Sequence, residues 1–244
     1  MYLFKKVRAL QDHLNWCRER GLKIGFTPTM GALHEGHLSL VQQSLRRADV
    51  NVCSIFVNPT QFNEASDLDK YPRTTAADIE LLTSVGNQVL FLPEVSDIYP
   101  EQLDTSVDFD FNGLDEVLEG QFRPGHFAGV VQVVKRLLDI VQPDFLFMGQ
   151  KDYQQLSIIR SMLQQLGSPV ELVMCPIVRE ESGLAMSSRN VRLPEEARRK
   201  AALIHEVLQQ TRANIENQSP EQLAKAATDR LVGAGFEPEY FSIV

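Results

Sequence analysis

Two histidines three residues apart carry the first sign of chemistry in this sequence. His34-Glu35-Gly36-His37 follows Pro28-Thr29-Met30-Gly31-Ala32-Leu33, a turn after a short apolar run. On a helix, residues three apart share a face, so both imidazoles would point the same way. In a helix's first turn, free N–H groups and the helix dipole favour an anion. Gly31 and Gly36 remove side chains where a phosphate or nucleotide ring would approach the backbone. Two of the chain's five histidines lie here. Two other readings compete. A zinc site of the His-Glu type needs its second histidine four residues on, and here the step is three. A helix cap with two ordinary polar histidines needs no ligand.

A second cluster, Gly149-Gln150-Lys151-Asp152-Tyr153-Gln154-Gln155, sits at another strand-to-helix turn. Asp152 is expected to be an N-cap there. Lys151 either faces bound phosphates or is solvated beside that cap. The third cluster is Met186-Ser187-Ser188-Arg189-Asn190. Two hydroxyls and a guanidinium in a loop suit a phosphate clamp, although Ser-rich loops are common. Smaller features have plainer readings. His126 after Arg123-Pro124-Gly125 reads as a helix cap, Tyr71 and Phe62 as packing, and Arg198-Arg199-Lys200 as a solvated helix face.

The elements that must position these residues alternate. Strands are expected at 22–27, 50–57, 89–92, 145–148 and 170–175, from short apolar, β-branched runs closed by Pro or Asn-Pro. Helices are expected from Leu33, over 74–85, over 127–141 and over 154–166, from apolar residues at helical spacing. A short strand is expected at 108–111 and a loop at 120–125. Such alternation argues an α/β fold with a parallel sheet. Past Arg179 the pattern changes to helices over 195–215 and 221–231, then a strand starting at Tyr240. The boundary falls near 177–179, with a small α+β domain after it. In an open parallel sheet, ligands bind at the carboxyl ends of the strands, where the first two clusters lie.

Composition narrows the partners. The 244 residues carry 24 Lys and Arg against 32 Asp and Glu, a net charge of −8. Such a surface repels nucleic-acid backbone and anionic membrane, so neither is expected as a partner. A pocket can still be locally basic. Cys17, Cys53 and Cys175 are isolated, which fits a reducing cytoplasm rather than a disulfide framework. The N-terminal apolar run is too short for a signal-peptide core, and the stretch 130–141 is broken by charges, so no transmembrane span is expected.

Taken in order, His-x-Gly-His after the first strand, a Lys at a later strand end and Met-Ser-x-x in a loop resemble the nucleotidyl-transferase superfamily. That group activates a substrate by attack on the α-phosphate of a nucleoside triphosphate. Met186–Arg189 resembles its mobile lysine-serine loop, with Arg189 in place of lysine. Longer stretches resemble the pantoate–β-alanine ligase family: 28–37, Phe56-Val57-Asn58-Pro59-Thr60-Gln61-Phe62, Tyr71-Pro72-Arg73-Thr74, Arg123-Pro124-Gly125-His126-Phe127-Ala128-Gly129-Val130, 149–155 and Leu184-Ala185-Met186-Ser187-Ser188-Arg189-Asn190.

The resemblance implies a Rossmann-like domain over 1–177 and a small C-terminal lid domain over 178–244. In the family the lid domain continues past the position of Val244, so here it is expected to be incomplete at its end. The implied reaction has two steps. The carboxylate of (R)-pantoate attacks the ATP α-phosphate, giving noncovalent pantoyl adenylate and pyrophosphate. The β-alanine amine then gives pantothenate, on the way to coenzyme A, and AMP. The implied ATP ligands are Met30, Gly31, Ala32, Leu33, His34, Glu35, Gly36, His37, Gly149, Gln150, Lys151, Asp152, Val178, Met186, Ser187, Ser188 and Arg189. Among them His34, His37, Lys151, Ser187, Ser188 and Arg189 are implied to be catalytic. Gln61 and Gln155 are implied to hold pantoate, with Asn58 and Arg123 nearby in the pantoate and β-alanine site. Mg2+ is implied with ATP, without an assigned protein ligand, and a homodimer is implied. One departure concerns the acids that family members carry around Ala77, where only Asp78 remains. A different adenylyl or cytidylyl transferase, releasing no AMP, and a nucleotide-sensing module are the alternatives.

Overall fold

The computed structural model describes residues 1–62 and 65–244. Its six strands are β1 (Tyr2–Phe4), β2 (Ile24–Thr29), β3 (Val50–Ile55), β4 (Val89–Phe91), β5 (Phe145–Gly149) and β6 (Glu171–Cys175). They form one sheet in the order β1-β4-β3-β2-β5-β6, and every neighbouring pair is parallel. The helices are α1 (Val7–Arg18), α2 (Glu35–Arg47), α3 (Ala65–Asp69), α4 (Thr75–Ser84), α5 (Val95–Ile98), α6 (Glu119–Phe122), α7 (His126–Val141), α8 (Tyr153–Gln165), α9 (Glu195–Ala213) and α10 (Pro220–Gly233). The chain divides into two compact units, 1–177 and 178–244. Among the described residues no helix is long and apolar enough to cross a membrane.

In the first unit the sheet is covered on both faces, because successive strand residues point opposite ways. Val89 and Phe91 enter a cluster with Leu10 and Leu14 of α1, Val134 and Leu137 of α7, and Leu156 of α8. Leu90 turns the other way, with Cys53 and Ile55, onto Leu38 and Val41 of α2 and Leu82 of α4.

Several boundaries differ from expectation. β2 runs on through Pro28 and Thr29, residues expected in a turn. The Thr29 carbonyl accepts from Phe56 on the β3 side, so Pro28 turns toward β5. The β5 ladder has ended by then, at Phe26, and the missing N–H of Pro28 breaks no bond. The helix expected from Leu33 begins at Glu35. Residues 108–111 form no strand. Both backbone groups of Asp110 bond instead to the Gln165 side chain, at 3.2 and 2.7 Å. The expected loop at 120–125 is overlapped by the single helical turn α6. β1, α1, α3 and α5 were not expected.

The second unit is helical. Arg179 and Ala185 form an isolated antiparallel bridge, and a 3-10 turn spans Ser188–Arg192. α9 and α10 pack through Val207, Ala227 and Leu231, joined by Leu203, Phe236 and Phe241. The strand expected from Tyr240 is not formed: a strand exists only by pairing, and 240–244 joins no ladder. The expected α+β character reduces to the one bridge.

Candidate active site

From β2 the chain lays down β3 and β4 to one side, then returns to place β5 and β6 on the other. The switch point therefore lies between β2 and β5, and the crevice at their carboxyl ends is where such sheets bind ligands. The segment 30–37 follows β2, 149–152 follows β5, and Asn58–Gln61 follows β3. Two of the sequence clusters and the family-like stretch 58–61 thus stand side by side along one edge of the sheet.

The turn leaving β2 is held in an uncommon conformation. Gly31 and Ala32 have φ of 81° and 49°, the left-handed region that glycine tolerates and alanine rarely adopts. Asp78, in the first turn of α4, supplies the restraint. Its Oδ2 accepts from the Ala32 N–H at 3.1 Å and its Oδ1 from the Leu33 N–H at 2.8 Å. Thr74 Oγ1 donates to Oδ1 at 3.1 Å. Asp78 is 1% exposed. A side chain on Gly31 would meet Asp78 Oδ2 at 3.1 Å and Ile55 Cγ2 at 3.0 Å. Sequence reading noted Asp78 only as a leftover acid and missed this clamp.

His34 occupies the N-cap position of α2, and its Nδ1 accepts from the Gly36 N–H at 3.1 Å. The His34 N–H in turn donates to Nδ1 of His37 at 3.3 Å. The two rings lie 4.1 Å apart between centroids. A ring nitrogen that accepts from an amide carries no proton, so the neutral His37 ring holds its proton on Nε2. Loss of hydration lowers the His37 pKa from 6.5 to about 3, and the nearby His34 and Lys151 push the same way. The helix-cap reading of this motif holds for Nδ1 of His34.

Lys151 is half-exposed and its Nζ lies 2.8 Å from Asp152 Oδ1. Asp152 stands at the N-cap position of α8 but makes no capping bond, so the expected cap is instead a counter-ion to Lys151. Gly149 ends β5, and Gln150–Asp152 form one 3-10 turn. Gln155 lies in the first turn of α8 and, among the described residues, makes no side-chain hydrogen bond. Its neighbour Gln154 donates to the carbonyls of Leu114 and Val117, both at 2.7 Å, and fastens that loop to α8.

The segment after β3 is built into the fold. Asn58 is 1% exposed and bonds to Tyr99, Thr60, Gln61 and Gly129. Gln61 Nε2 reaches Met30 Sδ at 3.1 Å. His126 was expected to cap α7. Gly125 holds the cap position instead, and the buried His126 Nδ1 lies 2.8 Å from the Gln61 carbonyl. Arg123, the C-cap of α6, precedes it by three residues.

In the second unit, the Met186 N–H bonds to the Val178 carbonyl at 3.0 Å. Ser187 caps the following 3-10 turn, its Oγ accepting from the Arg189 N–H at 3.2 Å. Ser188 is buried and Arg189 exposed. Asn190 Nδ2 ties the turn to Glu180 and to the Ala185 carbonyl. Among the described residues no three His, Cys, Asp or Glu side chains converge as a metal site would require.

Comparison with known proteins adds to this geometry. The family described as Pantoate-beta-alanine ligase matches residues 2–244. The chain is 46% identical to the pantothenate synthetase of Porphyromonas gingivalis over 245 positions, covering 100% of this chain and 86% of that one. It is 48% identical to that of Phocaeicola vulgatus, with the same coverages. The crystal structure of pantothenate synthetase from Thermus thermophilus matches with a TM-score of 0.93 at 42% identity, covering 100% of this chain and 87% of that one. Pantoate-beta-alanine ligase from Francisella tularensis, complexed with beta-gamma ATP and beta-alanine, matches with a TM-score of 0.89 at 35% identity, covering 100% and 90%.

Proposed function

The chain belongs to the pantoate–β-alanine ligase family, and from that membership we infer that it joins the pantoate carboxyl to the amine of β-alanine, converting ATP to AMP and pyrophosphate. A pantoate carboxylate oxygen attacks the α-phosphorus and pyrophosphate leaves. The amine then attacks the activated acyl carbon, AMP leaves, and the amine gives up a proton. Charge builds on the phosphate oxygens in the first step, and fixed donors stabilise it. The observation that carries this reading is the pair His34 and His37. Their Nδ1 atoms both accept from backbone amides at the switch point, and His37 lies within the electrostatic reach of Lys151. We assign Met30–His37 and Gly149–Asp152 to ATP, and Gln61, Gln155 and Arg123 to pantoate and β-alanine. Val178 and Met186–Arg189 of the second unit are assigned as further ATP ligands. In the second step the acyl group is already activated, so proximity of a neutral amine suffices.

Mg2+ accompanies ATP on this reading, held by the triphosphate oxygens rather than by a protein cage. Both Asp78 oxygens are committed to the Ala32 and Leu33 amides, which agrees with that assignment. The enzyme is further assigned to the cytoplasm as a homodimer, for which light scattering should give twice the chain mass. The reaction itself is tested by isotope exchange. ATP–pyrophosphate exchange should require pantoate and proceed without β-alanine. Exchange seen only when β-alanine is present would overturn the separate adenylation step.

A further inference from the structure

Gln61 is useful to a substrate only if its amide presents the right end, and the structure around it decides which end that is. Two anchors are unambiguous. A backbone N–H can only donate and a backbone carbonyl can only accept. The Thr60 N–H lies 3.4 Å from Asn58 Oδ1, which makes that atom the acceptor. The Gly129 carbonyl lies 3.2 Å from Asn58 Nδ2, which makes that atom the donor. The two anchors agree, so the Asn58 amide has one orientation. Its Nδ2 also lies 3.2 Å from the Gln61 side chain, and a donor must meet the oxygen there. Gln61 Oε1 is therefore engaged by Asn58, and Nε2 is the end turned toward Met30 at the close of β2.

Tyr99 completes the chain. Its hydroxyl lies 2.9 Å from Asn58 Oδ1, and burial pushes the phenol upward in pKa, so it remains a donor. Phe56 packs beside the ring at 6.2 Å between centroids. Tyr99 comes from the end of α5, and Arg136 of α7 holds that helix by donating to the Ile98 carbonyl at 2.9 Å.

We propose that Tyr99 and Asn58 are positioning residues that polarise Gln61, so that Nε2–H, not the amide oxygen, faces pantoate and selects for an acceptor oxygen on it. This rests on the assignment of Gln61 to pantoate. Asn58 is thereby moved from the substrate contacts to the layer behind them, because both of its donors are spent inside the protein.

The test is a double-mutant cycle of Tyr99→Phe with Gln61→Ala, read as separate KM values for pantoate and ATP and as kcat. Phenylalanine keeps the ring packing and loses one hydrogen bond, so thermal unfolding should change little. Tyr99→Phe should raise the pantoate KM roughly 3- to 10-fold and leave the ATP KM within about twofold. In the Gln61→Ala background the same change should add less than about twofold, because effects transmitted through one residue do not add. An unchanged pantoate KM in Tyr99→Phe, an equal rise for ATP, or a full effect persisting without Gln61 would overturn the proposal. An unchanged pantoate KM in Gln61→Ala would overturn the pantoate assignment itself, and the proposal with it.

Discussion

The backbone N–H of His34 donates to Nδ1 of His37 at 3.3 Å, and that bond decides which nitrogen is left for a ligand. Protonating His37 would place a second proton on Nδ1 and break it. Its pKa, at about 3, lies below the ordinary 6.5. The sign of the consequence follows. The unfolded chain takes up this proton near pH 6.5 and the folded chain does not, so the stabilisation is present above 6.5 and is lost as pH falls toward 3.

We therefore expect the His37 ring resonances to stay flat from pH 5 to 8 in an NMR titration, and the pH–rate profile to have no limb from this residue. A midpoint near 6.5 for His37 would overturn the tautomer assignment.

Asp78 makes a second prediction. Asparagine retains one acceptor but turns an NH2 toward the other of the two amides at Ala32 and Leu33. One buried N–H is then unpaired, a cost of about 1–3 kcal/mol. Asp78→Asn should lose stability of that order in urea unfolding and should raise the ATP KM more than the pantoate KM. Thr74→Val, which removes only the flanking hydroxyl, should do less. Equal effects of the two substitutions would remove Asp78 from its role.

The clusters His34 to His37 and Gly149 to Gln155 were legible because each occupies one short stretch, whereas Asn58 to Gln61 was legible only through its resemblance to the family. The alternation of strand and helix was legible because the strands carry short apolar, β-branched or aromatic runs, as in β3 and β5, between segments of helical spacing. What holds the clusters was not. Asp78 reaches Ala32 across 46 residues, Tyr99 reaches Asn58 across 41, and Gly129 reaches Asn58 across 71. No local spacing encodes those pairs. β1 has only three residues, too few for an alternation to register. α1 is different: Leu10, Leu14 and Cys17 are buried at helical spacing, so its signal was present in the sequence.

Gly129 carries a third prediction. A Cβ there would lie 2.3 Å from the Thr60 carbonyl oxygen and 2.8 Å from Gln61 Cα. Both are backbone atoms, which cannot swing aside as a side chain would. Alanine is otherwise favoured over glycine in a helix by about 1 kcal/mol, so propensity alone predicts stabilisation by Gly129→Ala. The clash reverses the sign. We expect a net loss of about 1–3 kcal/mol in chemical unfolding, together with a raised pantoate KM. A more stable variant with unchanged kinetics would show that α7 can shift freely against the segment after β3.

The last prediction separates charge from recognition. Lys151 pairs with Asp152 at 2.8 Å and both side chains are partly exposed, so the pair contributes little to folding. Lys151→Ala should therefore leave the unfolding midpoint nearly unchanged. Phosphate charge grows as the pantoate carboxylate attacks, and a lost charge-stabilising donor costs about 10²–10³ in rate. Single-turnover formation of pantoyl adenylate should fall by that order in Lys151→Ala. Gln155 is neutral, and its assigned partner is bound both before and during the reaction. Gln155→Ala should then act chiefly on the pantoate concentration dependence, roughly 3- to 10-fold for one neutral hydrogen bond, with the ATP dependence less altered. Measuring adenylate formation across a grid of ATP and pantoate concentrations distinguishes the two. Untouched adenylation in Lys151→Ala, or a Gln155→Ala effect confined to ATP, would reverse the assigned roles.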